Sequence, residues 1–498
     1  MNDAVQQTLL APVYDVAIKT PLQLAAKLSS LHNNAIYLKR EDMQPVHSFK
    51  IRGAYNKIVS LSSAERAKGI IAASAGNHAQ GVASSAQKLG IKATIVMPRT
   101  TPSIKIDAVK DYGAKVLLAG DSYSDAYDSC LKLQAETGQT LIHPFDDPYV
   151  IAGQGTVGKE ILEQLPDVHY IFVPVGGGGL IAGIAQYVKA LMPSVKIIGV
   201  EPADSNAMQA SLKINERVIL PHVGIFADGV AVKQVGELTY ELCRTYVDSV
   251  VAVSNDQICA ATKYIFETTR SIVEPAGALS LAGALQYIST HRVHDKKIVT
   301  ICSGANITFE RLQYIAERTM LGSGRELLFS VSLLERPGAL AKFCTEVVNG
   351  HNITEFSYRL VDHTQAHILV EITVSGATDR DYFVTKLHKH GYDYADLSSD
   401  DVTKEHIRHM IGGPARAARG EQIYEVNFPE RPGALADFLH SLGNKWNISL
   451  FHYRGQGADT GKVLIGFETA ESDDVPRSLE TTGYEYSPVM SRALQTFL

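Results

Sequence analysis

The feature that most constrains how this 498-residue chain can fold is a duplication in its last third, where residues 326–359 return as 421–454 at a constant offset of 95. Glu335-Arg336-Pro337-Gly338-Ala339-Leu340-Ala341 recurs as Glu430-Arg431-Pro432-Gly433-Ala434-Leu435-Ala436, Asn352-Ile353 as Asn447-Ile448, and Phe356-Ser357-Tyr358-Arg359 as Phe451-His452-Tyr453-Arg454. Repetition at a fixed period implies two copies of one structural unit. Each copy reads as a strand (Leu328 to Leu333; Ile423 to Phe428), a Pro-Gly turn opening a helix, a second strand through the Tyr-Arg pair, and a third (His367 to Val374; Lys462 to Glu468). A further helix and edge strand complete an α+β unit of the ferredoxin-like βαββαβ type. The expected domains are 326–411 and 421–498, joined by a linker at 412–420 and set off from 1–322 by the break Gly322-Ser323-Gly324.

The first 322 residues have a different texture. Short β-branched runs (Gly69 to Ala73, Ala93 to Met97, Lys115 to Leu118, Tyr170 to Val175, Val195 to Val200, Lys297 to Cys302) alternate with longer Ala- and Gly-rich helical segments. That alternation predicts an α/β domain with mostly parallel strands. Ile171-Phe172-Val173-Pro174-Val175 and Ile197-Ile198-Gly199-Val200 are apolar without period-two alternation, so helices are expected on both sheet faces. Sites in such folds gather at the carboxyl ends of strands.

Composition narrows the function. The chain has 53 acidic and 47 basic residues, a net charge of −6, and no polybasic run, so neither nucleic acid nor an anionic membrane is the expected partner. Five scattered cysteines (Cys130, Cys243, Cys259, Cys302, Cys344) and 17 histidines without ligand spacing suggest neither a metal site nor a disulfide framework. The N-terminus lacks a signal-peptide pattern and no apolar run reaches the ~18–20 residues that span a bilayer. A cytoplasmic protein with reduced thiols is expected.

Three segments of the first domain carry candidate chemistry: Ser48-Phe49-Lys50-Ile51-Arg52-Gly53-Ala54, Ser74-Ala75-Gly76-Asn77-His78, and Gly176-Gly177-Gly178-Gly179-Leu180. The four glycines stand between a strand-like and a helix-like run, where backbone N–H groups and a helix start hold a phosphate; the bland reading is a flexible loop. The phosphate's owner stays open on spacing alone. Gly177-x-Gly179-x-x-Ala182 fits a permissive dinucleotide fingerprint, with Glu201 placed to grip a ribose, as in a nicotinamide-dependent oxidoreductase. That reading leaves Lys50 and the Asn77 loop without a role. Lys50 by itself reads equally as a surface lysine. Asp146-Asp147 and Asp228 could be taken for paired acids, but Asp146-Asp147-Pro148 reads as a turn, Asp228 as a loop residue near the site that reads equally as touching it or not, and Cys302 as a buried strand-end thiol. Pro337 and Pro432 suit the first turn of a helix, whose start receives a carboxylate, so a non-catalytic amino-acid sensor is a further reading.

Taken in order, His47-Ser48-Phe49-Lys50-Ile51-Arg52-Gly53-Ala54-Tyr55-Asn56, Ala73-Ser74-Ala75-Gly76-Asn77-His78-Ala79-Gln80-Gly81, the tetraglycine, Phe226-Ala227-Asp228-Gly229-Val230-Ala231-Val232, Glu274-Pro275-Ala276-Gly277-Ala278 and Cys302-Ser303-Gly304-Ala305-Asn306 resemble the pyridoxal-phosphate enzymes of the tryptophan-synthase β fold (fold type II). Within that group the chain is most similar to the threonine deaminases. The doubled C-terminal module resembles their paired ACT-like regulatory domains. The resemblance implies that Lys50 binds pyridoxal 5'-phosphate covalently, that Gly176, Gly177, Gly178, Gly179 and Leu180 hold its phosphate, and that Phe49 packs on its ring. Asn77 would bond the ring hydroxyl and Ser303 would meet the ring nitrogen. The loop of Ser74, Ala75, Gly76 and Asn77 would receive the substrate carboxylate, with His78 near the substrate. It further implies L-threonine as substrate, with L-serine reacting similarly, and the first committed step of isoleucine biosynthesis. Inhibition by isoleucine, relief by valine, effector contacts at Tyr358 and Tyr453, and a homotetramer are also implied. A catabolic serine/threonine dehydratase or serine racemase is the nearest alternative. His47 departs from the pattern, where an aromatic or small residue is expected beside the lysine.

Overall fold

Each apolar run picked out in the first 322 residues forms a strand in the computed structural model, which describes residues 3–322, 324–334, 343–348, 351, 353–360, 365–409, 420–429, 441, 448–454, 460–467, 469–470 and 474–490. The chain divides into two units, Met1–Leu312 and Gln313–Leu498. Among the described residues the first holds β1 (Leu22–Leu24), β2 (Ala35–Lys39), β3 (Ile70–Ala73), β4 (Ala93–Met97), β5 (Lys115–Leu118), β6 (Thr140–Leu141), β7 (Tyr170–Pro174), β8 (Lys196–Pro202), β9 (Ser249–Val253) and β10 (Lys297–Ile301). They form a six-stranded sheet, β1-β2-β10-β7-β8-β9, and a four-stranded sheet, β5-β4-β3-β6. All neighbours run parallel except β1, which is antiparallel to β2.

The lack of alternation in β7 has a direct cause. Successive side chains of a strand point to opposite faces. Ile171 and Val173 pack in one core with Leu180, Ile181 and Ile184 of the helix Gly179–Leu191. Phe172 turns the other way, its ring 5.5 Å from that of Tyr287 in the helix Pro275–His291. With helices on both faces, every inner position of the strand must be apolar.

A buried quartet of charges ties the helix Lys50–Val59 to its neighbours. Arg52 pairs with Glu41 (2.8 Å) and Glu160 (2.6 Å), and Glu160 also pairs with Lys39 of β2 (2.6 Å), all four side chains being fully buried. Tyr14 donates to Glu160 and Thr20 to Glu41. Two cations balance two carboxylates, and the added hydrogen bonds offset the cost of taking them from water.

In the second unit the strands are β11 (Glu326–Leu334), β12 (Ile353–Leu360), β13 (Gln365–Thr373), β14 (Asp393–Asp396), β15 (Gln422–Pro429), β16 (Ile448–Arg454), β17 (Thr460–Phe467) and β18 (Tyr486–Pro488). They make two antiparallel sheets, β12-β13-β11-β14 and β16-β17-β15-β18, with the same order relative to each copy's chain direction. The duplication reaches the register: Tyr358 pairs with Ile368 and Tyr453 with Val463, and a bulge falls between Ile353 and Glu355 in one copy and between Ile448 and Leu450 in the other. The helices Ala377–Lys389 and Val475–Thr482 precede the fourth strands. The Pro-Gly turns at Pro337 and Pro432, and the linker up to residue 419, lie outside the described residues. Leu328 and Leu369 of one copy share an apolar cluster with Leu464 of the other. Among the described residues of this unit, Glu405, His406 and Glu425 could hold a metal ion; the Lys462 ammonium lies 2.9 Å from Glu425.

Cys130, Cys243, Cys259 and Cys302 are buried free thiols, and burial pushes Cys130 up to about 11 and Cys302 higher. Among the described residues no helix is long and apolar enough to cross a membrane.

Candidate active site

Three strands of the first unit deliver their carboxyl ends to one place. β3 runs into Ser74–Gly76 and the helix Asn77–Leu89, β7 into the glycine run and the helix Gly179–Leu191, and β10 into Cys302–Asn306. Lys50 opens its own helix, and the segment before it is stitched to the β10 loop. Phe49 N–H donates to the Ser303 carbonyl (3.2 Å), Ala305 N–H to the His47 carbonyl (2.9 Å), and Ser48 bridges Gly304.

The Lys50 amine donates to the Pro144 carbonyl (2.9 Å) and lies 5.4 Å from the centroid of the Phe49 ring. Burial of its ammonium lowers Lys50 to about 8, against the opposing pull of the Glu274 carboxylate. It is therefore no ordinary surface lysine. His47 is exposed with φ at 57°, the left-handed region that His tolerates better than most residues, so the departure at 47 meets a backbone requirement. His78 is buried, its Nε2 bonded to the Ile142 carbonyl (2.8 Å), and Nδ1 has no hydrogen-bond partner among the described residues. Burial and the Lys50 charge lower it to about 3, so the ring stays neutral.

The glycine run is packed, which removes the flexible-loop reading. A Cβ on Gly177 would stand 2.2 Å from the ring of Phe145, and Gly178 has φ at 95°. The Gly177 carbonyl accepts from the Thr239 hydroxyl at 2.6 Å. The first intrahelical bond runs from Ala182 N–H to the Gly178 carbonyl (2.9 Å), so the N–H groups before it have no carbonyl within the helix, the setting in which a helix start can receive an anion. Glu201, the acid of the dinucleotide reading, is elsewhere engaged. It is buried on β8, accepts from Met208 and Gln209 N–H (2.8 Å each) at a helix start, and burial raises it to about 8.

Asn77 is held at both ends of its amide. Its Nδ2 donates to Glu274 Oε1 (2.6 Å), and its Oδ1 accepts from Asn306 Nδ2 (2.6 Å). Burial and the neighbouring Asp228 raise Glu274 to about 7. Asp228 itself is held well below the usual carboxylate range, its own burial outweighed by Arg311 and Lys105. Ser303 is buried and donates to the Ala276 carbonyl (3.1 Å). Ser74 Oγ accepts from Gly76 N–H (3.3 Å), closing the turn that precedes the Asn77 helix.

Sequence reasoning missed Glu274 and Asn306 as site residues, and Pro144 and Phe145 as the wall between the lysine and the glycine run. It quoted the first two only as parts of motifs. Asp146 and Asp147 are more than a turn: Asp147 caps the helix Pro148–Gln164, and Asp146 accepts from Glu237 and Thr239 N–H at the start of the helix Glu237–Tyr246.

A half-buried amine with a lowered pKa, a glycine-built helix start, an aromatic ring, a fixed amide and a buried hydroxyl make a set of groups that suits pyridoxal phosphate. Residues 13–304 match the family model of pyridoxal-phosphate dependent enzymes, and 317–407 with 414–497 match the C-terminal regulatory domain of threonine dehydratase. The chain is 50% identical to the biosynthetic L-threonine dehydratase IlvA of Burkholderia multivorans over 97% of each chain. Of solved structures, the processed form of threonine deaminase isoform 2 from Solanum lycopersicum covers 64% of this chain and 88% of its own, at 50% identity and a TM-score of 0.63. Maize serine racemase covers 64% and 97% at 34% identity and a TM-score of 0.59.

Proposed function

The chain belongs to the pyridoxal-phosphate dependent enzymes that carry the threonine dehydratase regulatory domain, and from that premise we propose a residue-level account of a biosynthetic threonine ammonia-lyase. The observation that carries it is Lys50, an amine lowered to about 8 beside a helix-start anion cradle. Lys50 binds the cofactor, the backbone of Gly176 to Leu180 holds the phosphate, and Phe49, Asn77 and Ser303 contact the ring. When bound, the cofactor supplies an electron sink that eases loss of the Cα proton and then of the β-hydroxyl.

The protein's own groups do the rest. The Ser74–Asn77 loop, at the start of a helix, receives the substrate carboxylate through backbone N–H groups. Lys50, its amine lowered to about 8, would take the Cα proton. His78 stays neutral beside it and adds no positive charge. Loss of the hydroxyl with a proton as water, then tautomerisation of the released enamine and its hydrolysis by water, would give 2-oxobutanoate and ammonia from L-threonine, and pyruvate and ammonia from L-serine, because one methyl in a pocket discriminates by only ~1–3 kcal/mol.

The second unit reads as two regulatory copies, 326–411 and 421–498, following a catalytic domain at 1–322. Tyr358 and Tyr453, at equivalent register in the two sheets, are the proposed effector contacts. Isoleucine inhibits and valine relieves. The working form is a cytoplasmic homotetramer at the first committed step of isoleucine biosynthesis. Initial rates of 2-oxo-acid release from L-threonine and L-serine, with each effector, test the account. Inhibition by isoleucine that is lost in Tyr358→Ala or Tyr453→Ala supports it, and rates indifferent to both effectors would confine the reading to the catalytic unit.

A further inference from the structure

Glu274 occupies the N-cap position of the 17-residue helix Pro275–His291, with Pro275 at the first helical position. A polar side chain there ordinarily accepts from the N–H groups of its own first turn. Glu274 makes no such bond. Its Oε1 instead accepts from Asn77 Nδ2 at 2.6 Å, across 197 residues of chain, and its carboxylate also accepts from Asn306 N–H. The side chain gives up a local cap for a distant amide.

The surroundings are built for that pair. A Cβ on Gly304 would come 2.6 Å from Glu274 Oε1 and 3.2 Å from Asn77 Nδ2, and one on Gly229 would come 3.3 Å and 3.9 Å from the same atoms. Both neighbours are glycine where any side chain would press on the bond. Asn306 completes the clamp, giving its Nδ2 to the Asn77 oxygen at 2.6 Å and to the Val46 carbonyl at 2.9 Å. The Glu274 Oε1 acceptor at one end and the Asn306 amide N–H, which can only donate, at the other leave Asn77 a single orientation. Of its two Nδ2 hydrogens, one is spent on Glu274. The second is the one it can offer to a ligand.

We propose that Glu274 is a positioning residue for the cofactor, which by clamping Asn77 together with Asn306 aims the free Nδ2 hydrogen at the ring hydroxyl. The proposal rests on the reading of Asn77 as the ring-hydroxyl contact. Glu274 needs no contact with substrate for this role; it acts through Asn77.

The test is a double-mutant cycle on the full chain, read by titration with pyridoxal 5'-phosphate and by the visible absorption band of the bound cofactor, with far-ultraviolet circular dichroism as the fold control. Removing this part-buried hydrogen bond, which fixes the amide, is expected to weaken cofactor binding about tenfold. Glu274→Ala is therefore expected to bind about tenfold more weakly with a shifted band. Glu274→Gln, which keeps an acceptor oxygen, should stay within about threefold of wild type. In an Asn77→Ala background, Glu274→Ala should add less than about twofold, because the clamp then has nothing to hold. A Glu274→Ala effect of equal size in both backgrounds, or no effect at all, overturns the proposal. Asn77→Ala with unchanged band and affinity would instead sink the Asn77 reading, and the clamp with it. Should Glu274→Ala fail to fold, Asn306→Ala reads the other jaw, with the same loss expected beside intact Asn77 and none without it.

Discussion

The Lys105 ammonium stands 2.9 Å from Asp228, joining a helix that packs on the four-stranded sheet to a loop that follows β8 of the six-stranded sheet. Arg311 holds the same loop, donating to the Phe226 carbonyl at 2.6 Å and lying 3.3 Å from Asp228. The pair therefore spans the two sheets whose strand ends frame the site. A partly buried pair of this kind is worth ~1 kcal/mol. Lys105→Met is expected to raise KM for L-threonine about fivefold while kcat changes less than twofold, the pattern of an interaction that supports ground state and transition state alike. Steady-state kinetics check this, and a fall in kcat at constant KM would contradict it.

Lys50 leads to a pH prediction. Its amine must be unprotonated to capture the cofactor, and burial brings its pKa to about 8. The rate of cofactor capture by the stripped protein should rise with pH through about 8 and level off above it. The Glu274 carboxylate acts to raise Lys50, so Glu274→Gln should move that rise to lower pH. Stopped-flow absorbance reads both, and a wild-type midpoint near 10.5 would remove burial as the cause.

Gly177→Ala should disturb the cradle without unfolding the domain. The new methyl would fall 2.2 Å from the Phe145 ring, and overpacking of this kind costs ~1–3 kcal/mol. Cofactor affinity is expected to drop at least about tenfold, and Phe145→Ala in the same chain should recover part of it. Undiminished affinity in the single variant would mean that the loop backbone does not hold the phosphate.

The buried quartet carries a stability prediction. Replacing Arg52 by Met leaves Glu41 and Glu160 facing each other with Lys39 as the remaining cation, and removing one partner from such a group costs ~3–5 kcal/mol. Urea unfolding of the two proteins measures it. A loss below ~1 kcal/mol would place the anchoring of the Lys50 helix in its apolar contacts instead.

How much of this could be read from the chain depends on range. The strands, the tetraglycine helix start and the repeat were legible because each is local or periodic: β7 shows in Ile171-Phe172-Val173, and the second regulatory copy shows in an offset that persists down to the bulges at Glu355 and Leu450. The division of the parallel strands between two sheets left no local mark, since β3 and β7 have the same apolar texture. Glu274 and Asn306 were missed as site residues because their partner, Asn77, lies about 200 residues away in sequence. Lys39, Arg52, Glu41 and Glu160 look like surface charges until folding takes them out of water together. The positive φ at His47 was hidden for a related reason, since backbone conformation cannot be seen in a residue's identity.

Whether Lys50 carries the cofactor and moves the substrate proton is read from the visible absorption spectrum of the purified protein beside a Lys50→Ala variant, with L-threonine added and 2-oxobutanoate followed in the same cuvette. A yellow band and product are expected from the wild type and neither from the variant. A variant that forms product at the wild-type rate, or a wild type that stays colourless and inactive when pyridoxal 5'-phosphate is supplied, would contradict that role of Lys50.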